Sequence, residues 1–386
     1  MTPTPFPWPW RGALNRRLSL VALIWILALN LWGLIAIDFL PISRHSAWEP
    51  SANLRAPLLA RYDSGWYDGI IRFGYGPPPA AGKESAHAFF PVYPEIARFV
   101  HLMTGIDSFQ SGLLVTYAAL LLALPLFLEE ARFRFGDQRA WRTLPFLLLY
   151  PPAFFLAAVY TESVFLLLAL LAFREVRFGR LQPALLWAFL TGLTRAPAVV
   201  LGAPLALTWW LSRAKGERRV LGFLLLGAAP TLGVASWILG IGLAKGEPGL
   251  FFRSMGAWRK EAGDPEAGFL AFWKEGQTMY REGRFRSHPG AIVPYVHFVL
   301  FSFVGAIQLR ARRWADASWS LGLLALSIFT GTSAGIPRYT LTIYPGHFAL
   351  FELTESRPVL RRILLGAYLA LLLLNVAFFV NWHFVS

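Results

Sequence analysis

Long apolar runs separated by short polar turns account for most of the chain. Eleven runs fall at about 18–40, 109–128, 143–158, 161–174, 181–194, 197–212, 219–243, 291–309, 315–330, 339–353 and 361–381. A helix needs about 20 mainly apolar residues to cross a bilayer, so the pattern predicts about eleven transmembrane helices. The continuous stretch 144–173 divides at Tyr160-Thr161-Glu162. A carboxylate is costly in hydrocarbon, and Thr161 suits a helix N-cap. The stretch 181–212 divides at Thr194-Arg195-Ala196-Pro197, where proline fits a helix first turn. The run 89–106 carries two prolines, Glu95, Arg98 and His101, and reads as an interfacial helix. Residues 1–17 are rich in Pro, Trp and Arg, and the run Leu18–Leu40 is too long for a cleavable signal core, so it reads as a retained span. The expected architecture is an all-α polytopic integral membrane protein with one membrane-embedded domain over 1–386. Interfacial helices are expected in two long loops, 41–108 and 245–290.

Composition agrees. Of 386 residues, 56% are hydrophobic and 15% charged, and mean hydropathy is +0.48. These values exclude a soluble enzyme, a single-pass receptor and a disordered chain. No cysteine is present, which removes disulfides, thiolate nucleophiles and cysteine metal sites. The net charge of +14 has to be read through topology before nucleic acid is considered, and no nucleic-acid partner is expected. With the N-terminus in the cytoplasm, the inner segments hold 20 basic residues, while the short outer turns hold only Arg195 and Arg338. The other 14 lie in the two long segments, each with six acids. Long loops report topology weakly, so the short turns decide: N-terminus in, C-terminus out.

The outer side therefore collects the polar residues that topology leaves unexplained. Arg61-Tyr62-Asp63-Ser64-Gly65-Trp66-Tyr67-Asp68 and Ser85-Ala86-His87-Ala88-Phe89-Phe90-Pro91-Val92-Tyr93-Pro94 lie in the first long segment. Tyr160-Thr161-Glu162, Thr194-Arg195 and Pro337-Arg338-Tyr339 lie in short turns. The second long segment mixes Phe251, Trp258, Phe272, Trp273 and Tyr280 with charge, as interfacial helices do. No P-loop, dinucleotide fingerprint, HExxH or GxSxG is present, and no internal repeat of the transporter kind is seen.

On these motifs the chain resembles the GPI mannosyltransferase II (PIG-V-like) family, multi-span glycosyltransferases of the C-type fold (GT-C). The matching elements, in order, are Tyr62-Asp63 with Trp66-Tyr67, Ala88-Phe89-Phe90-Pro91, Pro152-Ala153 leading to Tyr160-Thr161-Glu162-Ser163, Thr194-Arg195-Ala196-Pro197, and Pro337-Arg338-Tyr339 with Pro345-Gly346-His347. They cover about 18–380, and Tyr62 stands where the family has Trp. The resemblance implies an enzyme, a glycosyltransferase that takes a hexose, mannose in that family, from a dolichyl- or polyprenyl-phosphate sugar. The acceptor would be a hydroxyl of a glycan or glycolipid on the non-cytoplasmic face. An outward site needs a lipid-linked donor, because nucleotide sugars are not normally available there.

Such a transfer requires a base for the acceptor hydroxyl, positive charge for the leaving phosphate, and groups that hold the sugar. Asp63 is the expected base, with Arg338 and Arg195 on the phosphate. Glu162, Tyr160, Trp66, Tyr67, His87, Tyr339 and His347 are the expected substrate-binding residues. Attack opposite the phosphate would invert the anomeric carbon. Simpler readings compete with these. Asp63 and Asp68 fit ordinary loop acids, and Glu162 fits a helix cap. Arg195 fits a head-group anchor or a partner of Glu162, and the two histidines fit hydrogen-bonded pocket residues. Arg338 follows glycines Gly331 and Gly335, which permit close approach to a ligand. No cofactor is expected. A divalent ion between Asp63 and Glu162 has little support from two acids and two histidines scattered along the chain. The competing class is a transporter or flippase of a lipid-linked or anionic substrate, which predicts ionisable groups at the bilayer midplane.

Overall fold

A computed structural model describes residues 13–42, 57–80, 82–213, 216–258, 265–282, 292–329, 335–383 and 385. The secondary structure is 81% helix, with no strands among the described residues. In lipid, a helix satisfies its backbone hydrogen bonds internally, so apolar runs of this length become helices. The helices are α1 (Ala13–Phe39), α2 (Ser64–Phe73), α3 (Val92–Thr104), α4 (Ser108–Phe135), α5 (Asp137–Ala140), α6 (Leu144–Leu148), α7 (Glu162–Phe178), α8 (Leu181–Gly192), α9 (Gly202–Ser212), α10 (Glu217–Ala244), α11 (Leu250–Trp258), α12 (Pro265–Arg281), α13 (Val293–Arg310), α14 (Trp314–Phe329), α15 (Ile336–Leu341), α16 (Tyr344–Glu355) and α17 (Pro358–Val380). Five of them, α1, α4, α10, α13 and α17, are long and apolar enough to cross a membrane by length and composition. Shorter apolar helices are α8, the segment Ala196–Ser212 that includes α9, and α14.

Two of the expected spans are not continuous helices. The run 143–158 contains only α6, then turns and a 3-10 segment, Ala153–Leu156. Pro151 and Pro152 disfavour helical continuation there, yet every residue from Tyr150 to Tyr160 is buried. The run 339–353 breaks at Ile343, whose ψ of 75° separates α15 from α16, and Pro345 sits in the first turn of α16. The divisions at Glu162 and at Arg195 coincide with real element starts. The stretch 89–106 holds α3, which leaves Ile96, Phe99, Leu102 and Met103 exposed along one side, as an interfacial helix does.

Close packing centres on α7 and α10. Helix α4 packs on α7, α7 on α8, α10 on both α8 and α9, and α1 on α17. Helices α8 and α10 meet backbone to backbone: a Cβ at Gly192 would lie 2.2 Å from Pro230 O, and one at Gly233 would lie 2.2 Å from Phe189 O. Small residues are what permit such approach between helices in lipid.

One end of the bundle carries paired charges. Arg134 forms two bonds with Asp316, Arg139 pairs with Glu355, Arg313 with Glu352 and Arg177 with Glu130. Arg174 donates to Glu129 at 2.8 Å and to Glu175 at 3.1 Å. These arginines belong to the segments that the charge pattern placed together, and the fold does bring them to one end. Helix α7 runs from Glu162 to this end, about 25 Å away at 1.5 Å per residue.

Candidate functional site

At the other end, four charged side chains from four separate segments meet. Asp63 precedes the first residue of α2. Its position is prepared by Tyr62, whose φ of +53° is uncommon for a residue with a Cβ. Packing of Tyr62 against Phe379 and Trp382, at ring distances of 5.8 and 5.5 Å, holds that turn. Buried Arg61 anchors the turn further, donating to Val380 O, Pro57 O and Ala60 O. Ser64 donates to Val159 O, and Val159 N donates to Leu59 O, which ties the turn to the irregular segment before α7.

Glu162 is the first residue of α7 and is fully buried. Arg195 precedes the 3-10 segment Ala196–Leu201, and Arg338 lies within α15. The four form a chain. Arg338 Nη1 donates to Asp63 Oδ2 at 2.8 Å, and Arg338 Nε donates to Glu162 Oε1 at 2.9 Å. Arg195 Nη1 donates to the same Glu162 oxygen at 2.9 Å. Glu162 Oε2 is buried without a hydrogen-bond partner among the described residues. The formal charge of the four is zero. Burial works against the charge of Arg338, but Glu162 and Asp63 outweigh it and hold the arginine pKa well above its ordinary value. Solvent access is greatest at Asp63, whose side chain is 29% exposed against 18% for Arg338 and 10% for Arg195.

Aromatic rings complete the site. The Arg338 guanidinium lies 4.5 Å from the Tyr160 ring centroid and 5.1 Å from that of Phe155. Arg195 lies 4.9 Å from Tyr339 and 5.7 Å from Phe165. A cation over a ring face is attracted by its quadrupole, so these rings fix both guanidinium planes. Tyr160 donates its hydroxyl to Arg61 O at 3.1 Å. Tyr67 packs edge-on against Phe89, Tyr93 and Tyr160. Burial first, then the nearby Asp63 carboxylate, pushes its phenol above the ordinary range, so it remains protonated at neutral pH. Trp66 stacks on Phe89 at 6.0 Å.

Asp63, Glu162, Tyr160, Tyr67, Arg195, Arg338 and Tyr339 are thus gathered by the fold, with Trp66 alongside through Phe89. The two histidines make other contacts. His87 sits in the 3-10 segment Ala86–Ala88, with Nε2 3.2 Å from Gly76 O and Nδ1 3.2 Å from Ser85 Oγ. Burial, reinforced by Lys245 and Arg253, lowers its pKa. His347 is buried behind α15 and donates from Nε2 to Leu341 O at 2.9 Å. Its contacts are with the peptide carrying Arg338, against the rings of Tyr150 and Phe301. Tyr150 and Thr340 share a 2.8 Å hydrogen bond, a second support for α15. The space beside Gly335 goes to the Tyr339 ring, since a Cβ there would lie 2.6 Å from Tyr339 Cζ. Gly331 lies outside the described residues. Asp68 accepts a hydrogen bond from Ser108 Oγ and pairs with Arg72 at 3.6 Å, a structural role. Glu162 is not merely a cap, because its side chain joins the two arginines. The guanidinium of Arg338 bridges the two carboxylates considered as ligands for a divalent ion.

Sequence reasoning missed Phe155, Arg61 and the backbone role of Tyr62. Of these only the Pro151-Pro152 pair before Phe155 gave a local signal, marking an irregular segment.

No protein-family model matches the sequence, and a comparison with curated proteins finds no match. Among solved structures, ArnT from Cupriavidus metallidurans, bound to undecaprenyl phosphate, superposes with a TM-score of 0.50 and 12% identity. The match covers 94% of this chain and 76% of that one. With an all-helical architecture among the described residues and five helices long and apolar enough to cross a membrane, the chain is an integral membrane protein with the fold of ArnT.

Proposed function

We propose that this protein is a membrane glycosyltransferase that moves a sugar from a polyprenyl-phosphate donor to an acceptor hydroxyl on the non-cytoplasmic face. The observation that carries the reading is the chain Asp63–Arg338–Glu162–Arg195, set at helix ends and open to solvent at its acid. The fold supports it by likeness to ArnT, a protein solved with undecaprenyl phosphate. The motif resemblance favours mannose as the sugar and a glycan or glycolipid as the acceptor.

In the free protein Arg338 is shared between Asp63 and Glu162. A donor phosphate competes for that guanidinium, whose planar fork matches phosphate oxygens. Asp63 is then released from part of its contact with Arg338 and free to accept a hydrogen bond from the acceptor hydroxyl. Asp63 takes the acceptor proton, and the acceptor oxygen forms a bond to the anomeric carbon. The bond from that carbon to phosphate oxygen breaks, and polyprenyl phosphate leaves with the bonding pair. Arg338, supported by Arg195 through Glu162, neutralises the charge that develops on the phosphate. Attack from the side opposite the phosphate inverts the anomeric centre. The arginines supply the positive charge in this reading, and no cofactor is invoked.

The test is release of polyprenyl phosphate from polyprenyl-phosphate mannose by purified protein, with Asp63→Asn as comparison. Asparagine retains a carbonyl oxygen for Arg338, so the variant is expected to keep its thermal midpoint and donor binding. Its turnover is expected to fall by about 10²–10⁴. Unchanged turnover would move the base elsewhere. Tight binding without release by the wild type would favour a transporter.

A further inference from the structure

At the end of α7 and α9 far from Asp63, a second basic site occurs. Helix α7 ends at Phe178 and α9 at Ser212, and α10 starts at Glu217. Their ends enclose a cavity of about 430 Å³ lined by Phe178, Trp209, Arg213, Arg218 and Arg219, with small residues between them. Among the described residues, no carboxylate lines it.

That absence is unusual for this end of the molecule. Arg134, Arg139, Arg174, Arg177 and Arg313 all pair with Asp or Glu. Charge placement by topology accounts for arginines at this end, but it does not explain why three of them converge around a space without acids. Arg213 lies flat against Gly179, where a Cβ would come within 2.6 Å of its Nη1. Its Nη2 donates to Val176 O and Arg177 O. Those bonds fix the guanidinium but bring no negative charge to it, and among the described residues its buried Nε has no acceptor. Arg219 lies 3.9 Å from the Trp210 ring centroid, and its Nε likewise has no acceptor. The indole Nε1 of Trp209 faces away from the cavity, against Gly222 of α10, where a Cβ would lie 2.1 Å from it. Three arginines around one cavity that no carboxylate lines among the described residues describe a site short of an anion. An oxyanion there would offset their positive charge through charge-assisted hydrogen bonds.

We propose that Arg213, Arg218 and Arg219 form a phosphate-binding site at the end of the protein opposite Asp63, separate from the proposed transfer site. Its ligand chemistry is a phosphate monoester or diester. The two sources of that group are an anionic phospholipid head group, which can enter laterally between helix ends at the bilayer surface, and soluble phosphate.

The experiment measures lipid retention by native mass spectrometry on detergent-purified protein, with phosphatidylglycerol and phosphatidylcholine as probes. A parallel arm compares the thermal midpoint in inorganic phosphate and in chloride at equal ionic strength. The wild type is expected to retain phosphatidylglycerol in preference to phosphatidylcholine. A basic residue near a membrane surface contributes about fivefold in affinity for anionic lipid. Arg218→Gln, at an exposed position, should therefore weaken retention about fivefold with an unchanged thermal midpoint. The triple variant Arg213→Gln, Arg218→Gln, Arg219→Gln should weaken it on the order of a hundredfold. Arg310→Gln, an exposed arginine outside the cavity, should change nothing. Stabilisation by inorganic phosphate that disappears in the triple variant, without lipid selectivity, supports the site with a soluble ligand. Equal behaviour of Arg218→Gln and Arg310→Gln in both arms, or no response of the wild type to either probe, overturns the proposal. Sugar-transfer activity is not a readout, so failure here leaves the glycosyltransferase reading intact, and the converse holds.

Discussion

Replacing Arg338 separates the contributions joined at the centre of the site. Its guanidinium holds two carboxylates at 2.8 and 2.9 Å and rests against the rings of Tyr160 and Phe155. Lysine has one nitrogen on a flexible stem and cannot serve both acids in that plane. Arg338→Lys therefore forfeits one charged hydrogen bond. Such bonds contribute about 1.5–3 kcal/mol. The low end applies, because Asp63 is partly solvated and Glu162 keeps Arg195, so the expected destabilisation is about 1.5 kcal/mol. Arg338→Ala removes both bonds and the ring contacts, and breaking a buried pair costs about 3–5 kcal/mol. For function, lysine preserves the charge but not the fork, so donor binding should survive in part. The rate should fall by about 10²–10³, the usual loss when a group that stabilises developing negative charge is removed. Alanine should lose both. The assay measures donor affinity by equilibrium binding of labelled polyprenyl-phosphate mannose and, separately, single-turnover transfer. Thermal midpoints report the stability cost. If Arg338→Ala matches the wild type in affinity and rate, the phosphate is held elsewhere, with Arg195 the next candidate.

His347→Leu removes the donor to Leu341 O, so α15 should shift and transfer should slow by about tenfold to a hundredfold. His347→Asn should restore part of that rate, and donor affinity should change less than kcat in both variants. Cysteines introduced at exposed Ala80 and Ala311 in the cysteine-free background test orientation. An impermeant thiol reagent outside intact cells should label Ala80→Cys only, and the reverse result would invert the topology. His87 titrates in the folded protein below its ordinary value of 6.5, chiefly through burial. The unfolded chain then binds more protons over that interval, so stability is complete above about pH 6.5 and declines as pH falls below it. His87→Asn should lessen the drop in thermal midpoint between pH 7 and pH 5, and an unchanged drop would assign it to other groups.

The hydropathy pattern by itself determines that this chain is a helical membrane protein. Apolar runs of spanning length have to satisfy their backbone internally, and a helix does so within one segment. Charge alternation placed Arg134, Arg174, Arg177 and Arg313 together, and the fold brings them to one end. The element starts at Glu162 and Arg195 and the charge at Arg338 were legible because isolated charges between apolar runs mark helix ends. The backbone of 143–158 was not legible from apolarity, which reports burial and not geometry, and a buried 3-10 segment is as apolar as a helix. Partner choice was hidden more deeply. Arg338 meets Asp63 and Glu162 across 275 and 176 residues, and His347 turns its nitrogen to Leu341 O instead of the pocket. Nor does sequence distinguish Arg213, which meets no acid among the described residues, from Arg174, which meets two. Hydrophobic burial is written locally, residue by residue. Which charges neutralise one another depends on where distant helix ends come to rest, and only the tertiary structure decides that.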